Sequence, residues 1–325
     1  MRLRAVIVWL IAVAAMTGGA AAWVSAVAGQ GPRPALRQDV AATARTRAPA
    51  TPSPPRPPAG PVIEVAGAPG GVKAKGAVLA DAATGQVLWS RDAGTERPMA
   101  SLAKVMTALL VLESGSPDRE IQVPRAAVSY AWKYGGETAA LHPGDVLTTA
   151  ELLEALLLPS GADAAYTLAD AYGPGLAAFV ARMNAAAARM GMTHTVFTSP
   201  DGLPYPTGTS AYSTPSDLLT LGLAAMRYPA FRSVVDLRFY HLPKGRGHHE
   251  YWWDTTNALI GSYPGAIGIK TGYTVDAGHC LLFEAIQNGR VLIGAVQGSP
   301  PTGPAAAAQD AAKMLNWGFR LRRAG

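Results

Sequence analysis

Ser101 and Lys104 stand three positions apart in the stretch PMASLAKVMTALLVLE, residues Pro98 to Glu113. In a helix that spacing sets a hydroxyl and an amine side by side on one face. The stretch is apolar on nearly every side, which predicts a buried helix. Burial lowers a lysine pKa and leaves neutral amine to take a serine proton, so the pair can make an activated nucleophile. Alone, S-x-x-K also fits an ordinary helix start beside a surface lysine. Two later stretches add to it. Ser160 falls in the tight P-S-G connection between two predicted helices, where a hydroxyl can face a cleft. Lys270-Thr271-Gly272 falls on a predicted strand that can form one wall. A second lysine near Lys104 would help keep the first neutral and would attract a carboxylate. Thr271 can donate to that carboxylate, and Gly272 lets a substrate backbone come close, as an added strand.

The elements that must position these groups are legible in outline. GAVLADAATGQVLWSRD predicts a hairpin around Ala83-Thr84-Gly85. The buried helix from Ser101 stops near Ser114-Gly115. Residues 116–147 read as turns, with short strands at Glu120–Val123 and Ala139–Leu141 and a turn at Pro143-Gly144-Asp145. Thr148 and Glu151 form a capping box for TAELLEALLL, which Pro159 ends. Helices are expected from Asp163, read as its cap, to about Tyr172, over 175–190, and after Thr214-Pro215. Strands are expected at Val234–His241, Tyr251–Thr255 and Gly265–Tyr273, and in a hairpin around Asn288-Gly289. Ala306–Arg322 predicts a closing helix. Strands at both ends with helices between give an α+β class: one antiparallel sheet flanked by helices, completed by both ends of the domain, with an inserted helical lobe.

With these motifs placed, the chain resembles the serine D-alanyl-D-alanine carboxypeptidases, the low-molecular-mass penicillin-binding proteins of peptidase family S11. The resemblance runs from about Gly76 to Phe319 through TGQVLWSRD, PMASLAKVMTALLVLE, LLLPSGADAAYTLAD, FVARMNAAAARMGMTHTVFTSPDGL, STPSDL and GIKTGYTVDAGHCL. It implies the serine β-lactamase/penicillin-binding transpeptidase-like fold. It implies that Ser101 attacks the carbonyl between two terminal D-alanines of a peptidoglycan stem peptide, with Lys104 as base. Ser160 would relay a proton to the leaving amine with support from Lys270, and Thr271 and Gly272 would seat the terminal carboxylate and backbone. The N–H groups of Ser101 and Tyr273 would meet the oxyanion. β-Lactams would acylate Ser101 as covalent inhibitors. The family's second motif is usually S-x-N, and here it reads Ser160-Gly161-Ala162. The missing asparagine normally reaches the catalytic lysine and a substrate carbonyl, and one such lost bond costs about 5- to 150-fold. A weaker or differently selective enzyme is expected, with a wall-binding paralogue as the alternative.

Composition narrows the field further. Hydrophobic residues make up 49% and charged residues 15% of 325 residues, which suits an enzyme with a sizeable core. The net charge of +6 invites a nucleic-acid partner, but its distribution removes that reading. Residues 1–61 carry seven arginines against Asp39 alone, and the remaining 21 basic and 21 acidic residues cancel. Residues 1–28 have the charged, apolar, small-residue order of an export signal, and the same stretch is long enough for a membrane anchor. Residues 29–66 are a Pro/Ala-rich linker and 67–325 the catalytic domain, working outside the cytoplasm. Any membrane contact is expected through the N-terminal segment alone. No cofactor or metal is expected: His248-His249-Glu250 is not H-E-x-x-H, and no serine lies in G-x-S-x-G. A class A β-lactamase would need S-D-N where this chain has S-G-A. The lone Cys280, in an apolar run, reads as a core residue.

Overall fold

The computed structural model describes residues 67–205 and 207–321; the expected leader (1–28) and linker (29–66) lie outside them. Strands β1 (Gly76–Asp81) and β2 (Val87–Arg91) form the first hairpin, and β9 (Ala266–Thr274), β10 (Gly278–Gln287) and β11 (Arg290–Ser299) come from the other end of the domain. They join in one antiparallel sheet ordered β2-β1-β11-β10-β9. Asn288 and Gly289 both have positive φ, +49° and +73°, as a tight turn between right-twisted strands demands.

Strand alternation gives the sheet two apolar faces. Leu79, Leu281, Phe283 and Leu292 point to one, where Met314, Leu315 and Trp317 of the closing helix α8 (Ala306–Arg320) cover them. Val78, Leu282, Ile293 and Ala295 point to the other, into the main core. That core is built on α1 (Ala103–Leu112), in which every residue from Ala103 to Val111 is buried. The remaining helices are α2 (Arg125–Tyr134), α3 (Thr149–Leu157), α4 (Ala162–Tyr172), α5 (Leu176–Arg189), α6 (Pro215–Ala225) and α7 (Pro229–Val235). Three two-stranded pieces complete the description: β3 (Arg97–Pro98) with β6 (Tyr212–Ser213), β4 (Glu120–Gln122) with β5 (Val146–Thr148), and β7 (Phe239–Leu242) with β8 (Tyr251–Asp254). The expected capping box is present: the Glu151 N–H donates to Thr148 Oγ1 at 3.2 Å, and the Thr148 N–H to Glu151 Oε2 at 2.8 Å. Among the described residues no helix is long and apolar enough to cross a membrane.

Four local expectations need correction. Helix α2 stands where turns are expected: Pro124 and Gly135 bound it closely, and its buried side is only Ala127, Tyr130 and Ala131. Ala139–Leu141 is not a strand: the N–H groups of Ala139 and Leu141 are taken by the Asp163 carboxylate, at 2.9 and 3.1 Å, instead of by a partner strand. Asp163 is accordingly not the cap of α4, a place held by Gly161. The span Val234–His241 is split, since Phe231, Val234 and Val235 bury at helical spacing in α7 and the strand begins only at Phe239. Cys280 is in the core as expected, and burial pushes its thiol up to about 11.

Candidate active site

Ser101 sits in a single 3-10 turn, Ala100–Leu102, that leads into α1. The amine of Lys104, one turn on, lies 2.9 Å from Ser101 Oγ and donates to the Asp201 carbonyl at 3.1 Å. Lys104 is 1% exposed. Desolvation lowers its pKa below the ordinary lysine value, while the charges of Asp201, Asp163 and Glu137 pull in the other direction. Three positions further along α1, Thr107 Oγ1 donates to the Pro200 carbonyl at 2.6 Å. One helix face thus grips the Pro200-Asp201 segment twice. The same segment presses on the serine turn, where a Cβ added at Gly202 (φ +87°) would fall 1.9 Å from the Ala100 carbonyl oxygen. Ala100 itself holds φ at +49°, a strained conformation for a residue with a Cβ and one that functional sites retain.

The opposite wall is β9. Among the described residues it has one sheet neighbour, β10, which leaves its other edge for an added strand. Lys270 is 1% exposed, and its amine donates to the Thr271 carbonyl at 3.1 Å. Burial and, after it, the nearby charge of Lys104 hold Lys270 well below the usual lysine value. Thr271 Oγ1 lies 2.5 Å from Thr256 Oγ1, a pair of hydroxyls beside a buried amine and a fit place for a carboxylate. Gly272 is pressed against the nucleophile: a Cβ there would stand 3.0 Å from the Met99 carbonyl oxygen and 3.1 Å from the Ser101 nitrogen. Tyr273 is half exposed, with its ring stacked on His279 at 4.4 Å.

Ser160 is buried at φ +65° between α3 and α4. Its hydroxyl bonds to none of the other candidate groups, but the backbone around it is fixed at both ends. The Thr256 N–H donates to the Leu158 carbonyl at 3.1 Å, and the Ala162 N–H to the Glu137 carbonyl at 2.7 Å. Asp163, fully buried, takes bonds from Thr138 Oγ1 and the N–H groups of Ala139, Leu141 and Ala164. Ala162 packs in a small apolar cluster with Tyr130 and Ala131.

The structure therefore joins Ser101 to Lys104 directly and sets Gly272 against the serine, while the Ser160 hydroxyl makes no bond to either among the described residues. Three contributors escaped the sequence reading. Asp201 supplies the carbonyl that orients Lys104 and a carboxylate that accepts from Tyr130 Oη at 3.2 Å. Its signal was the turn-forming Pro200-Asp201-Gly202. Thr256 and Glu137 carried no signal beyond residue type. Among the described residues no group of three or more His, Cys, Asp or Glu could hold a metal ion. The arrangement suits covalent acyl transfer by a lysine-activated serine.

Comparison with known proteins points the same way. A sequence profile of the D-alanyl-D-alanine carboxypeptidases, family S11, matches residues 63–300. The chain is 38% identical over 263 residues to a D-alanyl-D-alanine carboxypeptidase of Streptomyces sp. strain K15, covering 77% of this chain and 88% of that one. It is 37% identical over 247 residues to the D-alanyl-D-alanine carboxypeptidase DacB2 of Mycobacterium tuberculosis, covering 75% and 81%. The crystal structure of the Streptomyces K15 DD-transpeptidase superimposes with a TM-score of 0.72 at 36% identity, over 77% of this chain and 98% of that one. The chain belongs to the D-alanyl-D-alanine carboxypeptidase family, peptidase family S11.

Proposed function

We propose that this protein is an exported serine carboxypeptidase that removes the terminal D-alanine of peptidoglycan stem peptides through an acyl-enzyme on Ser101. The observation that carries the reading is the 2.9 Å contact between Ser101 Oγ and a lysine amine that is 1% exposed. Burial favours the neutral amine, so Lys104 Nζ can take the serine proton as Oγ attacks the carbonyl carbon between the two D-alanines. The oxyanion is received by the N–H groups of Ser101 and Tyr273, a type of contact worth about 10²- to 10³-fold in rate. The C–N bond then breaks, the proton passes through Lys104 and Ser160 to the departing amine, and D-alanine leaves. Water attacks the ester, and the shortened peptide departs with Ser101 restored. Thr271, with Thr256 beside it, seats the terminal carboxylate next to Lys270, and Gly272 leaves room for the substrate backbone. β-Lactams enter by the same attack and remain on the serine. Residues 1–28 direct the chain out of the cytoplasm, as a cleaved signal or as an anchor, and residues 29–66 tether the catalytic domain.

The test is to expose the protein to a fluorescent penicillin and to a peptide ending in D-Ala-D-Ala. Covalent label and released D-alanine are expected from the wild type. Ser101→Ala should give neither, and Lys104→Ala should acylate about 10²- to 10⁴-fold more slowly. The absence of both label and D-alanine in the wild type would sink the reading, leaving a wall-binding protein. Label that is hydrolysed off within seconds would make it a β-lactamase instead.

A further inference from the structure

Asp201 approaches the Ser101–Lys104 pair twice, once with its backbone and once with its side chain. Its carbonyl accepts from Lys104 Nζ at 3.1 Å, on the amine that lies 2.9 Å from Ser101 Oγ. Covalent geometry then keeps the carboxylate of the same residue within about 9 Å of Nζ. That carboxylate is 0% exposed and held in place: Oδ1 accepts from Tyr130 Oη at 3.2 Å and from the Leu203 N–H at 3.0 Å. Its Oδ2 is buried with no hydrogen-bond partner among the described residues. A buried carboxylate oxygen without a bond is costly unless a positive charge lies near.

The charged groups around Lys104 come from several elements. Asp163, at the start of α4, is buried, but its carboxylate already takes bonds from Thr138, Ala139, Leu141 and Ala164. Glu137 is exposed, so water screens it. Lys270, on β9, is a second buried amine, and its charge and that of Lys104 oppose each other. Among the acids that favour a protonated Lys104, Asp201 acts most strongly. When Lys104 takes the serine proton, a cation forms on a side chain that is 1% exposed. Such a cation is stable only beside a fixed negative charge.

We infer that Asp201 is a positioning residue that acts through Lys104: its carboxylate is the buried counter-charge for the ammonium formed as Ser101 Oγ attacks. The inference rests on the acyl-enzyme reading above. The proton moves from Oγ to Nζ as the Oγ–C bond forms, and Nζ later returns it through Ser160 to the departing amine. Asp201 stays ionised throughout and changes only the stability of the charged state.

The test follows penicillin acylation of the full chain against pH. The rate rises with pH as Lys104 loses its proton. Asp201→Asn keeps the side-chain shape and an oxygen for the same two bonds, but removes the charge, so Lys104 should lose its proton at lower pH. Well below the wild-type midpoint the variant should acylate about tenfold faster than wild type, as for one charge lost at this separation inside a protein. Above both midpoints it should be slower, because a weaker base takes the proton less readily. Asp201→Glu, which restores the charge, should bring the rise back toward its wild-type place. A variant that merely loosens the loop would be slower at every pH with the rise unmoved, and that result overturns the inference. A second measurement needs no variant to fold. A buried pair should hold the wild-type rise in place as salt goes from about 0.01 M to about 1 M, shortening the Debye length from about 30 Å to about 3 Å. A rise that salt moves by about a full pH unit would assign the control to exposed charges and overturn the role of Asp201. A wild type that no penicillin labels at any pH overturns the acyl-enzyme reading beneath it.

Discussion

The two walls of the cleft are built in different ways. The β9 wall is set by a ladder: Lys270 is in register with Leu282, Thr271 with Leu281 and Gly272 with Cys280, three partners that are themselves buried. The facing wall, made of residues 136–142, 158–163 and 199–203, has no ladder. It hangs on single anchors: the Asp163 carboxylate under one loop, and Lys104 and Thr107 under the other. A ladder spreads the placement of a residue over many bonds, so a change on β9 should act mainly through its own chemistry. On the facing wall placement depends on a few side chains that each bond distant backbone, so a change there should act through geometry. The departure at Ala162 lies on that second wall.

The sharpest way to break this comparison is Gly202→Ala. The residue has φ +87°, and the added methyl would meet the Ala100 carbonyl oxygen at 1.9 Å, so backbone must move. The movement would displace the turn bearing Ser101 and the Asp201 carbonyl that orients Lys104. Stability should fall by about 3 kcal/mol or more, at the severe end for overpacking. Penicillin acylation of the fraction that remains folded should drop by about 10²-fold, as for a misplacement on the order of 1 Å. Acylation within a few-fold of wild type would mean that the 199–203 loop does not place the nucleophile.

The same contrast explains what could be read in advance. Ser101, Lys104 and Lys270-Thr271-Gly272 were legible because helix and strand periodicity fix which residues share a face. The sheet, α1 and the capped α3 followed for the same reason. Asp163 has the local pattern of a helix cap, but its partners, Thr138, Ala139 and Leu141, are more than 20 positions away in the chain. Thr256 meets Thr271 only because the backbone after β8 returns to the edge strand. Helix α2 escaped because the proline and glycine that delimit it are the residues that signal turns. No local pattern encodes a placement that depends on a single long-range bond.

Ala162→Asn sharpens the comparison at intermediate size. The alanine methyl is 0% exposed and shares its cluster with Tyr130, Ala131 and Leu203. Gly136 lies against it, so the larger side chain must push the 135–137 segment outward. Denaturant unfolding should show a loss of about 1–3 kcal/mol. Unchanged stability with a 5- to 150-fold rise in acylation would show instead that the cleft simply lacks its asparagine.

The smallest effect concerns an anchor that was never paired. Glu154 lies on α3, and its Oε2 is buried without a hydrogen-bond partner among the described residues, in contrast to the four bonds on Asp163. Burial raises its pKa from 4.5 to about 7. The folded state therefore binds this proton more tightly than the unfolded chain. Below pH 4.5 both states hold the proton and nothing is lost; as pH rises from 4.5 through 7, the native state must hold a buried charge and loses stability. The group is partly exposed, so screening reduces the penalty to about 1–2 kcal/mol. Glu154→Gln should unfold at a higher denaturant concentration than wild type at pH 8 and at the same concentration at pH 4. An equal gain at both values would point to packing. A loss at pH 8 would mean that the carboxylate is paired in solution, and that the second wall has an anchor on α3 after all.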